Sequence, residues 1–152
     1  MVAVVARSAI AHGVELCLKE MRRRNVVLLV GFSWGAGVLS ELLTRDSGLD
    51  TQPAFLLIAP VSSATAVAAM REDAALRLHP SSADVVHVVH ASDDPIFCPH
   101  PERWENLTHV KNHTLQDIHV FKQPSSRRTL AEITATLFRM KTDDNFEAQN
   151  QL

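Results

Sequence analysis

The sequence predicts an α/β fold, a parallel sheet of about four strands with helices on both faces. Three observations predict it. Short apolar runs without alternation recur, "VVLLV" at Val26–Val30, "AFLLIAP" at Ala54–Pro60 and "DVVHVVHA" at Asp84–Ala91. Such runs are how strands buried on both faces of a sheet read. Between them lie stretches whose apolar residues recur at three- and four-residue steps, the spacing of amphipathic helices. Turn-forming residues separate the two kinds of segment. Strands that alternate with helices imply parallel pairing through helical crossovers.

Taken in order, Ser8 to Arg24 reads as a helix, with Ile10, Val14, Cys17, Leu18 and Met21 on one face. Lys19 and Arg22 to Arg24 crowd its last turns, where cations suit the negative end of the helix dipole. "VVLLV" follows as a strand, then a helix from about Gly35 to Thr44 carrying Val38, Leu39, Leu42 and Leu43 inward. "DSGLDTQP" is a loop before the second strand, Ala54 to Pro60. Thr65 to Leu78 reads as helix, Asp84 to Ala91 as the third strand, and Pro101 opens a short helix through Leu107. His109 to Gln116 is a weaker fourth strand, and Ser126 to Lys141 a last helix with Leu130, Ile133, Leu137 and Phe138 on one side. Residues 1–141 form one domain, and the polar tail from Thr142 to Leu152 is expected to be disordered.

Bulk properties narrow the functional classes. A chain of 152 residues, 46% hydrophobic and 21% charged, is long enough for one cored domain. A net charge of −2 gives no long-range attraction to nucleic acid or to an anionic membrane. No apolar run approaches a bilayer span. The first residues lack the basic segment of a signal peptide, and two cysteines, Cys17 and Cys98, make no disulfide framework. The expected compartment is therefore the cytoplasm. No cofactor and no metal are expected: His87 and His90 fall on opposite faces of a strand, and His109 and His113 lack a partner at ligand spacing.

Polar residues that could act together collect at the carboxyl ends of the strands, where open α/β sheets carry their sites. The first group is Gly31-Phe32-Ser33-Trp34-Gly35. A serine on a sharp strand-to-helix turn lifts its hydroxyl above the sheet edge, and crowding there calls for tiny neighbours, here Gly31 and Gly35. The backbone N–H of Trp34 then points at a developing oxyanion, aided by the helix N-terminus. The second is "HASDDPIFCP", whose Asp93 and Asp94 offer a carboxylate to orient a histidine. The third is "QDIHVFKQP", where His119 follows the fourth strand and can supply the general base that a hydroxyl nucleophile needs. His109 and His113 are rivals on or near the same strand, although residues inside a strand sit below its end.

In this order, serine elbow, acid, histidine, the chain resembles the α/β-hydrolase superfamily. "GFSWGAG" is similar to the superfamily's elbow, and "HASDDPIFCP" to its acid loop, with His90 as the first histidine and the acid on Asp94, next to Asp93. "IHVF" is similar to the histidine loop and puts the base on His119. The tryptophan after the serine resembles the dienelactone-hydrolase branch, which usually has cysteine where this chain has Ser33. The resemblance spans residue 7 to residue 141 and implies the C-terminal part of that fold, from the helix before the elbow strand onward. The family's second oxyanion donor comes from an upstream loop with no counterpart here, which would lower or abolish activity. The elbow strand, apolar on both faces, would form an uncovered sheet edge, so the expectation is either a shortened chain or fragment, or self-association by pairing of that edge with another chain.

The resemblance implies a serine hydrolase of small-molecule acyl substrates, carboxylic esters or thioesters, through Ser33, His119 and Asp94. A non-catalytic, hydrolase-like interaction module or a fragment is the alternative. A dinucleotide site on Gly31, Gly35 and Gly37 fits less well, because "LLIAPVSS" offers no acid for a ribose hydroxyl. The chain also has no tyrosine for the Tyr-x-x-x-Lys pair of the short-chain dehydrogenases, whose cofactor loop the glycine spacing resembles.

Overall fold

The computed structural model describes residues 2–49, 51–60, 85–94, 104, 107 and 110–149. In chain order these form α1 (Val2–Arg23), β1 (Leu28–Phe32), α2 (Trp34–Leu42), β2 (Ala54–Ile58), β3 (Val86–Asp93), β4 (Val110–Ile118) and α3 (Pro124–Gln149). The expected helix over Thr65–Leu78 lies outside the described residues, as does most of the short one opened by Pro101; of the latter, Trp104 is helical and buried.

The four strands form one sheet in the order β1-β2-β3-β4, and every neighbouring pair is parallel. β2 and β3 are the inner strands. Ala54, Phe55, Leu56 and Leu57 are at most 1% exposed, which explains why β2 reads as an unbroken apolar run. β1 reads the same way but lies at the sheet edge, and its Val30 and Phe32 are about half exposed. Apolarity of a strand thus reports what its faces could bury, whereas position in the sheet decides what they do bury.

Alternation along each strand divides the core into two layers. On one face, Phe55, Leu57, Val86 and Val88 pack with Ile10, Val14, Leu18 and Met21 of α1 and with Ala36, Val38, Leu39 and Leu42 of α2. On the other, Ala54, Leu56, Val89 and Ala91 pack with Phe121 and with Leu137, Leu130 and Ile133 of α3. The expected α/β architecture with helices on both faces is therefore what the chain forms.

The last helix departs from expectation. α3 runs to Gln149, through most of the segment from Thr142 that reads as a disordered tail. Once a helix is nucleated by packing, each further residue adds a hydrogen bond at little cost, so a polar segment can still extend it. Lys141 is the last buried residue described on α3.

Candidate functional site

Because all four strands are parallel, their carboxyl ends share one edge of the sheet, and the three segments singled out in the sequence leave from it. Ser33 stands between β1 and α2 with φ 51° and ψ −112°, a backbone conformation an L-residue rarely adopts. Its own N–H donates to the Ile58 carbonyl at 2.8 Å, which ties the turn over the end of β2. Its carbonyl accepts the Gly37 N–H at 3.1 Å and so begins α2. The N–H of Trp34 comes next, the first of the helix amides that have no partner within the helix itself.

The two elbow glycines are not equivalent. A Cβ at Gly31 would lie 2.7 Å from the Ala36 nitrogen and from the Gly35 carbonyl carbon and oxygen, all backbone atoms that cannot turn aside. At Gly35 a Cβ meets nothing within 4 Å among the described residues. The crowding argued from sequence therefore applies to Gly31 and, among the described residues, not to Gly35.

Asp94 follows β3 and is buried, whereas Asp93 is the exposed last residue of that strand. Asp94 Oδ2 lies 2.5 Å from His119 Nδ1, and His119 Nε2 lies 2.8 Å from Ser33 Oγ. With a proton on Nδ1 donated to the carboxylate, the Nε2 lone pair is left to accept the serine hydroxyl. The side chain of Asp94 is 2% exposed and that of His119 16%, so the carboxylate is shielded while the imidazole reaches the surface. Phe32 lies against the His119 ring, with centroids 5.4 Å apart. Such a chain can take a proton from a hydroxyl as it attacks and hold the imidazolium that results.

His119 reaches this position through an irregularity in β4. β3 and β4 pair in register from Val86 with Val110 to Ala91 with Leu115, but Asp93 then pairs with Ile118. One extra residue on β4 bends the strand where it leaves the sheet, a device common beside functional sites. His119 and Val120 then form a turn closed by the Phe121 N–H on the Ile118 carbonyl at 2.9 Å.

Other histidines have different surroundings. His90, the first histidine of the acid-loop motif, is buried on β3; burial lowers its pKa, partly opposed by a hydrogen bond with Asn112 and by the charge of Asp94. His113, a rival for the base, instead contacts His87 across β3 and β4, with His113 Nε2 3.1 Å from His87 Nδ1. Burial, then the neighbouring His113 and Lys111, bring His87 down to about 4. This pair was not legible in the sequence, because the parity rule compares residues on one strand and the contact is diagonal between two. His109 lies outside the described residues.

Among the described residues, no group of three or more His, Cys, Asp or Glu side chains is arranged to hold a metal ion, and no helix is long and apolar enough to cross a membrane.

No protein-family model and no curated protein matches the chain. Among solved structures it is similar to a protein from Thermoplasma acidophilum described as a predicted CIB-like hydrolase, with a TM-score of 0.57 and 14% sequence identity. The likeness covers 86% of this chain and 60% of that one. It carries the α/β fold, in agreement with the parallel sheet and its two helical layers.

Proposed function

We propose that the chain is a serine hydrolase of the α/β-hydrolase type that cleaves carboxylic esters or thioesters. The observation that carries the reading is the hydrogen-bonded series Ser33, His119, Asp94, drawn from the ends of three different strands at 2.8 Å and 2.5 Å. The Ser33 hydroxyl attacks the acyl carbon while His119 Nε2 takes its proton. Asp94 holds Nδ1–H and stabilises the imidazolium. The Trp34 N–H donates to the oxyanion of the tetrahedral intermediate. His119 then gives its proton to the departing alcohol or thiol, leaving an acyl-serine. Water, deprotonated by the same imidazole, releases the acid and restores the serine. The half-exposed Phe32 and Trp34 beside Ser33 favour an open site with apolar walls for a small-molecule substrate.

A fluorophosphonate probe, which phosphonylates an activated serine and mimics the tetrahedral intermediate, tests the proposal. Labelling of Ser33 is expected, lost in Ser33→Ala and reduced on the order of 10³–10⁴-fold in His119→Ala and Asp94→Asn. A folded chain that takes up no label would remove the catalytic reading and leave a non-catalytic, hydrolase-like interaction module.

One observation favours an interaction role beside the catalytic one. The outer edge of β1 pairs with no strand among the described residues, and Val30 beside it is 51% exposed. The same proposal assigns this edge to a second copy of the chain.

A further inference from the structure

His119 is not held by Asp94 alone; the backbone that carries it is gathered onto another carboxylate. Asp117 is 5% exposed and sits where β4 takes its extra residue. Its Oδ1 accepts the N–H of Ile118 at 2.8 Å and that of Lys122 at 3.1 Å. Its Oδ2 accepts the N–H of Gln123 at 2.8 Å, and the Ser126 hydroxyl donates to the same carboxylate. One side chain thus joins the end of β4, the far side of the turn bearing His119 and the first turn of α3.

We infer that Asp117 is a positioning residue for His119: its carboxylate clamps residues 118–123 so that the imidazole bridges Ser33 and Asp94. Three features of the loop call for such a clamp. His119 and Val120 occupy the middle of a turn closed by the Phe121 N–H on the Ile118 carbonyl at 2.9 Å. Phe121 is held at φ 49°, a strained conformation for a bulky residue that persists only when its surroundings enforce it. The amides of Lys122 and Gln123 precede α3, so no helical carbonyl is there to accept them. A neutral side chain could not accept all of these donors. Burial by itself would raise the Asp117 pKa, but the hydrogen bonds from Gln123, Ile118, Ser126 and Lys122 hold it below the usual carboxylate value, so the clamp is anionic at neutral pH. The hydrogen bonds of Asp117 go to the loop and to Ser126, so it acts through the loop.

The inference rests on the proposed hydrolase reading for its activity readout, and a second readout does not depend on that reading. In Asp117→Asn one acceptor oxygen becomes an amide that cannot take the Gln123 N–H. Fluorophosphonate labelling of Ser33 is expected to slow about 10- to 100-fold, in the maximal rate rather than in the probe concentration needed for half of it. The proton shared by His119 and Asp94 should give a far-downfield ¹H NMR resonance, assigned by its absence in His119→Ala. In Asp117→Asn, at temperatures well below melting, this resonance should broaden or vanish. Ser126→Ala keeps the carboxylate and removes one donor; it should move both readouts the same way by a smaller factor, about 2- to 5-fold in rate. It decides the matter if Asp117→Asn does not fold. A folded Asp117→Asn, or failing that Ser126→Ala, with wild-type labelling rate and an unchanged resonance overturns the inference. If the wild type takes no label yet its resonance is lost in Asp117→Asn, the hydrolase reading fails and the positioning role stands.

Discussion

Ser33 occupies a backbone conformation that costs on the order of 1–3 kcal/mol for a residue with a Cβ, and the packing around it shows what enforces that cost. The Ser33 amide is drawn to Ile58, its carbonyl starts α2, and Gly31 lets the helix start lie directly on the strand. This arrangement separates two residues that look alike in sequence. Gly31→Ala forces backbone atoms 2.7 Å from a new methyl group to move, and should destabilise the chain by about 1–3 kcal/mol or more and abolish probe labelling. Gly35→Ala adds a methyl group to the first turn of α2 where no described residue stands, and should raise stability by about 0.5–1 kcal/mol. Denaturant unfolding of the two variants beside the wild type measures both. Equal losses would mean that Gly35 is crowded as Gly31 is.

Among the elements, β1 and β4 are the two edges of the sheet formed by the described residues, and they meet their exposure differently. β4 carries Lys111, Asn112, Thr114 and Gln116, polar residues that suit an edge. β1 carries Leu28, Leu29 and Val30 and no charge. The proposed pairing of β1 with β1 of a second copy fits best in the antiparallel sense, because Arg22, Arg23 and Arg24 precede the strand and a parallel pair would set the two clusters side by side. Light scattering of the purified chain should therefore give a dimer mass. Val30→Lys, which charges the exposed side of the edge, should return it to monomer without loss of helical or sheet signal. A wild-type monomer at high protein concentration would sink the pairing. β4 has its own departure from regularity, since the extra residue before Ile118 both turns His119 toward the site and presents Asp117 to the loop beyond.

At the scale of the whole molecule, stability should depend on pH through histidines kept neutral by the fold. His87 is brought from an ordinary value near 6.5 down to about 4, by burial first and then by His113 and Lys111; His113 is lowered by burial and by Lys111. The unfolded chain therefore binds more protons than the folded one between those limits. Stability is fully present above about pH 6.5 and falls as pH drops toward 4. The lowered Asp117 carboxyl adds a second loss below the ordinary carboxylate range, as the folded form is forced to take up a proton. Urea midpoints from pH 7.5 to 4 should decline, with a shallower slope in His87→Gln. An unchanged slope in that variant would place the titrating group elsewhere.

The sequence by itself determined the α/β class, the strands and helices on which the site is built, and the residues that could act at three strand ends. Those features are local: a period of hydrophobicity, a glycine before a serine, an acid and a histidine after apolar runs. Its element boundaries mostly moved by a few residues, α1 began at Val2 ahead of the expected Ser8, and α3 continued past Lys141 because each added residue of a helix gains a hydrogen bond. The motif resemblance points to Asp94 over its neighbour Asp93, and the tertiary structure shows Asp94 turned inward against His119. It also shows how the two histidines come to differ, because the extra residue in β4 lifts His119 above the sheet edge while His113 stays in the strand beside His87. The distinction of Gly31 from Gly35 and the convergence of four hydrogen bonds on Asp117 were also settled there. Contacts between segments far apart in the chain depend on register and approach, which no single segment encodes.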